Sequence, residues 1–189
     1  MILETMDFSN FYDKISDIFS KHFTVEEEVR LMEYVEILAD DNFRCYKANM
    51  LVIENRKADV KSCELISDLE WVARSVGEYR VASKANINKY ISLVKSTKEP
   101  TLSDSWVSDD LVYSIGEMMD RLSIETIKRE DFRVNNRPQH MTDACQALSD
   151  RVERYLIQKL EEVDKKGFYE CIHEQRTYDL EKIVKELAL

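Results

Sequence analysis

Glycine and proline are scarce in this chain, and their scarcity limits the fold. There are only three glycines and two prolines among 189 residues. Sheets need tight turns, and tight turns depend on glycine, proline and Asn-Gly pairs. No stretch sustains the alternation of apolar and polar side chains that is typical of a strand. The sequence therefore predicts an all-α protein built from a few long helices.

Paired cysteines, long apolar runs and a basic leader are also missing. Cys45, Cys63, Cys145 and Cys171 are far apart in the sequence, so we expect reduced and buried side chains rather than disulfides. No run approaches the roughly 18 apolar residues of a membrane span. The opening segment MILETMDFSN lacks the basic start of a signal peptide. These absences predict a cytoplasmic protein that makes no membrane contact.

Positive charge is in short supply. The chain has 27 Lys and Arg against 37 Asp and Glu, a net charge of −10. Nonspecific binding to nucleic acid depends on a cationic face that displaces counterions. The overall charge therefore disfavours a nucleic-acid partner, except through a local basic patch. An acidic surface that imitates DNA is a second interpretation of the same charge.

Apolar side chains recur at steps of three and four along most of the chain, which is the period of a buried helix face. The segment DFRVNNRPQH interrupts this period and separates two of the predicted helices. The predicted helical stretches are 7–23, 24–55, about 58–96, a fourth and a fifth on either side of that segment, and one or two pieces in 168–189.

Capping residues mark several helix ends. Thr24 with Glu27 fits a capping box, in which side chain and backbone bond each other reciprocally at a helix start. Ser105 or Ser108 is expected to cap the fourth helix, and Thr142 the fifth. Gly167 is expected to end the fifth helix.

The predicted architecture is an antiparallel bundle of five to seven helices with an additional helical layer. One domain over 1–189 is the default for this length. Pro100 and several polar residues break the helical pattern at 97–106. If the chain divides, we expect the division there, into 1–96 and 107–189.

A polar segment at 128–140 is the first candidate site. Three of its arginines stand four residues apart, and guanidinium forks suit phosphate or carboxylate groups. The candidate anion-binding residues are Lys128, Arg129, Arg133 and Arg137. The alternative is a solvated connection in which the arginines pair with nearby acids. Those acids are Glu125, Glu130 and Asp131.

Arg133 and His140 carry a resemblance to a known family. Their spacing, Arg133-x6-His140, resembles the Arg-x(4–6)-His signature of the HEPN family of four-helix bundles, many of which cleave RNA. The family usually has a polar residue after the arginine, where this chain has Val134. The resemblance implies a metal-independent ribonuclease in which Arg133 and His140 are catalytic.

Two pairs of acids suggest a different enzyme. Glu33 and Glu36 are one helical turn apart, and so are Glu117 and Asp120. These pairs resemble the E-x-x-E and E-x-x-D motifs with which all-helical nucleotide pyrophosphohydrolases hold magnesium, since this hard cation prefers several oxygen ligands. The alternative is two solvated helix faces in an acidic protein, with no metal and no cofactor.

A stripe of cations follows one side of the third predicted helix. Arg80, Lys84, Lys95 and Lys98 have helical spacing. They are able to meet an acidic partner or a nucleic-acid backbone. We expect them instead to meet the acidic first two helices of the same chain.

A short segment resembles a second group of proteins. The stretch 120–128, DRLSIETIK, is similar to a D-[KR]-L-[ST]-I-x-x-I-K helix of uncharacterised all-helical bacterial proteins. From the residues themselves, Leu122 and Ile127 should face the core, and Ser123 should allow close helix approach. The resemblance supports the helical fold and implies no activity.

The first predicted helix has an unusually aromatic face, and it suggests a function. Aromatic side chains are common in interfaces as well as cores. The expected interface residues are Phe8, Phe11, Tyr12 and Phe19. Since no catalytic constellation is coherent, the sequence favours a binding or regulatory protein that contacts a protein partner or associates with itself. The HEPN-like ribonuclease and the magnesium-dependent pyrophosphohydrolase remain the alternatives.

Overall fold

The computed structural model describes residues 3–57, 63–95 and 114–166, and this part of the chain is helical, without a strand. Its helices pack on one another as a bundle, which confirms the all-α prediction. The five helices are α1 (Ser9–Phe19), α2 (Val25–Lys57), α3 (Cys63–Lys95), α4 (Ile115–Val134) and α5 (Gln139–Lys166). The expected division at 97–106, the expected stop at Gly167 and the tail 168–189 lie outside the described residues.

The two longest helices, α2 and α3, run antiparallel. Tyr34 near the start of α2 packs on Tyr90 near the end of α3, with ring centroids 5.9 Å apart, whereas Cys45 lies against Ala73. Helix α4 packs against α2, α3 and α5, and α1 packs against α2. One buried apolar cluster draws on every described helix. Its most buried members include Ile15, Leu38, Ile91, Met119 and Leu156.

The aromatic face of α1 lies inside the chain's own core. Phe11 and Phe19 are buried, as is Phe8 just before the helix, while Tyr12 is partly buried. The Phe8 and Phe11 rings pack edge to face, with centroids 6.0 Å apart. In this arrangement the four side chains close the core. Their predicted role as interface residues stays a prediction. It requires that α1 packs into the core of a second copy of the chain instead of its own.

The start of α2 confirms the predicted capping box. The Thr24 backbone N–H donates to Glu27 Oε2 at 2.8 Å, and the Glu27 N–H donates to Thr24 Oγ1 at 3.4 Å. The helix then continues without interruption to Lys57. Half-way along it, Asn42 is buried and reaches across to α4.

The cap of α4 differs from the prediction. Helix α4 begins at Ile115, and Ser114 and Glu117 form a capping box there. Ser105 and Ser108, the expected caps, lie outside the described residues and do not cap this helix. The signal that decides the start is Ser-x-x-Glu, which Ser114 supplies and the earlier serines lack.

Helices α3 and α4 approach very closely at the same end. The Gly116 N–H donates to Asn88 Oδ1 at 2.8 Å, and Asn88 Nδ2 donates to Ser114 Oγ at 3.0 Å. A Cβ atom at position 116 would lie 2.4 Å from the backbone oxygen of Lys84. Only glycine therefore fits between these two backbones.

A Schellman turn ends α4 and fixes the direction of the chain. Asn136 has a positive φ of 49°, a conformation that asparagine adopts more readily than most residues. The Arg137 N–H donates to the Phe132 carbonyl at 2.8 Å, and the Asn136 N–H donates to the Arg133 carbonyl at 3.3 Å. These bonds hold the backbone of Arg137 over the end of α4.

Helix α5 begins earlier than the sequence predicted. It starts at Gln139, directly after Pro138, so the expected N-cap at Thr142 is wrong. Proline lacks a backbone N–H, and the first N–H groups of a helix have no partner within it. Pro138 is thus compatible with an immediate helix start, and the α4–α5 connection becomes short.

Candidate functional site

Helices α1, α4 and α5 enclose a cleft of about 600 Å³. Each helix supplies one face: on α5, for example, the lining residues stand at positions 139, 142, 146, 149 and 153, at steps of three and four. The turn between α4 and α5 closes one end. The volume falls within the range of small-molecule sites in proteins.

Four cations and three carboxylates line the cleft. The cations are Lys14, Arg129, Arg133 and Arg137, and the carboxylates are Asp7, Glu130 and Glu153. Two of the cations are paired within it. Arg133 donates from Nε and Nη2 to both oxygens of Glu130, at 2.8 and 2.5 Å. Lys14 Nζ lies 2.6 Å from Glu153 Oε2. The structure thus brings the three predicted arginines together and adds a lysine from α1.

Arg129 is bonded on only one side of its guanidinium. Its Nη1 donates to Gln146 Oε1, and Gln146 Nε2 donates to Asp150 Oδ1 at 2.6 Å. Its Nε is buried, and none of the described residues accepts a hydrogen bond from that atom. Nε and Nη2 are the edge with which arginine makes two parallel bonds to a carboxylate or phosphate. Arg133 uses that same edge on Glu130.

Ser149 is the second buried polar group of the cleft that lacks a partner. Its exposed fraction is 6%. Within the described part of the chain, its Oγ has no hydrogen-bond partner. A buried donor or acceptor left unpaired costs about 1–3 kcal/mol. Two such groups in one cleft call for an explanation, and a bound water or ligand would supply their missing partners.

Arg137 lies at the exposed end of the cleft. It follows the Schellman turn, and its side chain is exposed. No hydrogen bond or ion pair joins its guanidinium to another residue of 3–57, 63–95 or 114–166. The cleft therefore holds two guanidiniums, Arg129 and Arg137, that form no ion pair with a carboxylate of the described residues.

The alternative prediction was a solvated connection in which the arginines pair with nearby acids. Among the described contacts, Arg133 is the one cleft arginine that makes such a pair. Of the three acids expected as partners, Glu130 takes that role. Glu125 is buried and pairs with Arg121 and with Lys128, whose Nζ lies 3.2 Å from its Oε1. Lys128 therefore does not line the cleft, although the sequence grouped it with the three arginines.

His140 does not line the cleft either. It is exposed in the first turn of α5. Among the described contacts, no hydrogen bond joins it to Arg133, whose guanidinium is held by Glu130. The HEPN-like role of Arg133 and His140 stays a prediction that rests on their spacing.

The second acidic pair is divided between two structural roles. Glu117 belongs to the cap of α4. Asp120 accepts from Arg80 Nη2, at 3.0 and 3.1 Å to its two oxygens, and from Asn42 Nδ2 at 2.9 Å. Ser123 is buried beside them, and Asn42 Nδ2 donates to its Oγ at 2.7 Å. Leu122 and Ile127 are buried, as the sequence predicted.

The first acidic pair lies on the surface of α2. Glu33 bonds Arg30 at 2.5 Å, and both side chains are about half exposed. Glu36 is exposed as well. Across 3–57, 63–95 and 114–166, no three His, Cys, Asp or Glu side chains are arranged to hold a metal ion.

The cation stripe of α3 pairs within the chain, but with other helices than expected. Arg80 bonds Asp120 of α4, and Lys84 lies 3.8 Å from the same carboxylate. Lys95 bonds Asp164 of α5 at 2.7 Å. The first two helices supply none of these carboxylates, although Arg80 Nη1 also donates to Cys45 Sγ of α2 at 3.8 Å and Lys95 donates to the His22 carbonyl between α1 and α2. Lys98 lies outside the described residues.

The cysteines that are described agree with the prediction of reduced core residues. Cys45 and Cys145 are buried free thiols. Burial raises the pKa of Cys145 to about 11, and a hydrogen bond with Glu125 contributes to the rise. The thiol is therefore protonated at neutral pH and is a poor nucleophile. Cys171 lies outside the described residues, as does the side chain of Cys63.

Sequence reasoning missed four residues of the cleft. No role was predicted for Lys14 of α1 or for three residues of α5. Those three are Gln146, Ser149 and Glu153. Their helical spacing was visible in the sequence, but polar residues at that spacing also occur on solvated faces. Only the docking of α5 on α4 and α1 distinguishes a face that lines a cleft from a face that is solvated.

Comparison with known proteins finds no match to this chain among family models, curated proteins or solved structures. The described helices include none that is long and apolar enough to cross a membrane. The residues of the cleft therefore carry the functional argument by themselves.

Proposed function

We propose that the chain is a binding protein and that the cleft between α1, α4 and α5 recognises an anionic group. The observation that carries the proposal is the pair of buried, unpartnered polar atoms, Arg129 Nε and Ser149 Oγ. A ligand with anionic oxygens would accept from both. A partner protein is able to carry such an anionic group. The proposal is therefore compatible with the sequence-based hypothesis that the chain contacts a protein partner.

The titratable groups of the cleft support binding rather than acid catalysis. Hydrogen bonds from Ser9 lower the pKa of Asp7, and a hydrogen bond from Arg133 lowers the pKa of Glu130. Both carboxyl groups are therefore ionised at neutral pH and are poor proton donors. Arginine, by contrast, is always charged in proteins and supplies hydrogen-bond donors.

The first test measures stabilisation by inorganic phosphate. A ligand that binds only the folded state stabilises it by RT ln(1 + [L]/Kd), about 2.7 kcal/mol at one hundred times Kd. We expect phosphate to raise the melting temperature by about 5 °C or more under those conditions. Arg129→Gln should abolish the rise. Arg30→Gln, which removes an exposed cation of α2, should keep it. Sodium chloride at equal ionic strength excludes a general salt effect, and an equal rise in both variants would count against the cleft.

Ser149→Ala provides a test that does not depend on a charge. The variant removes a buried hydroxyl that lacks a described partner. Without ligand, the melting temperature should stay the same or rise, because an unsatisfied group is gone. With phosphate, the rise should shrink. A variant that loses stability without ligand and keeps the full phosphate effect would contradict the proposed role.

A further inference from the structure

The charges left unpaired in the cleft indicate the class of anion. Within the described chain, Lys14 is matched by Glu153 and Arg133 by Glu130. Asp7 accepts from the backbone and hydroxyl of Ser9. Among the described residues of the cleft, three charges remain without an ion pair: the carboxylate of Asp7 and the guanidiniums of Arg129 and Arg137.

Those two guanidiniums have different environments. Arg129 is partly buried, with its bidentate edge unpartnered, while Arg137 is exposed at the α4–α5 turn. A single carboxylate would satisfy the edge of Arg129 and leave Arg137 unused. A phosphate monoester carries close to two negative charges and three acceptor oxygens at neutral pH. It is able to engage both arginines and the hydroxyl of Ser149.

Part of the cleft wall is apolar, beside polar lining residues such as Asn10, Thr126 and Thr142. Met6 precedes α1, and Phe132 stands in the last turn of α4; both line the cleft and are partly exposed. Phe11 and Leu122 form buried apolar surface behind them. Free phosphate would leave the exposed parts of Met6 and Phe132 in contact with water. An organic group attached to the phosphate would cover them, at a gain of about 25 cal/mol per Å² of apolar surface buried.

We infer that the ligand is a phosphate monoester of a small organic molecule with an apolar part, bound as a dianion. Arg129 and Ser149 hold the phosphate, Arg137 neutralises its second charge, and Met6 and Phe132 contact the organic part. The inference rests on the proposed anion-binding function and narrows it.

Three probes separate charge from apolar contact. Phenyl phosphate is a dianion at pH 7.5 and carries an apolar ring. Phenyl sulfate has the same ring and tetrahedral shape but one charge, and inorganic phosphate has the charge without the ring. By calorimetric titration, phenyl phosphate should bind about tenfold more tightly than either of the others. Over phenyl sulfate it gains the hydrogen bonds of a second charge, and over inorganic phosphate it gains the burial of its ring.

Arg137→Gln tests the second charge. Since Arg137 is exposed, the variant should fold normally. We expect its Kd for phenyl phosphate to rise about tenfold and its Kd for phenyl sulfate to change less than about threefold. Arg30→Gln should leave both constants unchanged.

The outcomes distinguish this inference from the proposed function. If phenyl sulfate binds as tightly as phenyl phosphate, the cleft binds anions but the dianion inference is wrong. If inorganic phosphate binds as tightly as phenyl phosphate, the inference that the ligand carries an apolar organic part is wrong. If none of the three probes binds the wild-type protein, the anion-binding function fails as well.

Discussion

Helix α4 contributes to two polar clusters that differ in how their charges are balanced. On one side it joins α2 and α3 through the Asp120 cluster, which consists of Asp120, Arg80, Asn42 and Ser123. There a carboxylate meets a guanidinium at 3.0 Å, and the amide of Asn42 bonds both α4 residues. On the other side it faces the cleft, where the Nε of Arg129 has no described partner. The first cluster balances its charges within the chain, and the second does not.

This difference separates a structural use of polar residues from a recognition use. A buried ion pair is costly to desolvate, and it is tolerated when its geometry and hydrogen bonds are good. The Asp120 cluster meets that condition, apart from Asn42 Oδ1, which has no partner in the described chain. In the cleft, we propose that a ligand compensates the same cost by supplying acceptors. Removing a charge should therefore reduce stability on one side of α4 and binding on the other.

Asp120→Ala should give the largest loss of stability. It leaves Arg80, whose side chain is 23% exposed, without its carboxylate. Breaking a buried pair costs about 3–5 kcal/mol, and the partial exposure lowers our expectation to about 2–3 kcal/mol. Urea unfolding measures it. Asp40→Ala removes a carboxylate from an exposed ion pair on α2 and should cost less than about 1 kcal/mol.

Arg129→Gln completes this comparison. It should change the free energy of unfolding by less than about 1 kcal/mol, because it breaks no ion pair to a described residue. A loss as large as that of Asp120→Ala would mean that the two clusters have the same role.

Gly116→Ala should give the next largest effect. The added methyl group would lie 2.4 Å from the Lys84 backbone oxygen, so α3 and α4 would have to separate. Overpacking of this kind costs about 1–3 kcal/mol. Separation would also strain the Arg80–Asp120 contact, which spans the same two helices.

Gly77→Ala is the matched control for that change. It too lies within a helix, but a Cβ atom there meets nothing within 4 Å. Alanine favours a helix over glycine by about 1 kcal/mol, so this variant should be more stable than wild type. Thermal unfolding of both variants measures the contrast. Effects of the same sign would show that packing at position 116 is not the cause.

The fold was largely predictable because it depends on local patterns. Helical spacing of apolar residues places α1 and α2 correctly, and Thr24 with Glu27 marks the start of α2. The errors at helix ends had visible signals: Ser114-x-x-Glu117 was a better cap than the earlier serines. Such ends depend on a few hydrogen bonds, and several nearby residues offer similar ones.

The cleft was only partly predictable because it depends on how helices dock. The spacing of Arg129, Arg133 and Arg137 indicated an anion site, and they do line one cleft. Its other components come from distant segments: Lys14 from α1 and Ser149 from α5. No local sequence pattern indicates which face of one helix packs against which face of another helix. The same limit explains why the α3 cations were assigned to the wrong acidic partners.

The smallest expected effect concerns the contact that joins the α1–α2 connection and the end of α3 to α5. Asp164 Oδ2 lies 2.6 Å from His22 Nδ1, and its Oδ1 lies 2.7 Å from Lys95 Nζ. Burial alone would raise the pKa of Asp164, but the hydrogen bonds from Lys95 and His22 outweigh it, and the pKa is lowered. A carboxyl group with a lowered pKa in the folded state stabilises that state above its unfolded pKa. The stabilisation is lost as pH falls through the folded value.

The free energy of unfolding of the wild-type protein should therefore decline as the pH falls below about 4. That of Asp164→Asn should be slightly lower at neutral pH and should decline less steeply. The urea midpoint as a function of pH measures both slopes. Asp17→Asn, which removes an exposed ion pair with Lys21 near the end of α1, should keep the wild-type slope. Because α1 forms one wall of the cleft, loss of the Asp164 contact should also weaken phosphate binding. If the stability of Asp164→Asn and that of wild type fall with the same slope at low pH, the Asp164 contact does not stabilise the cleft wall formed by α1. The difference between structural charges and recognition charges would then apply to α4 alone.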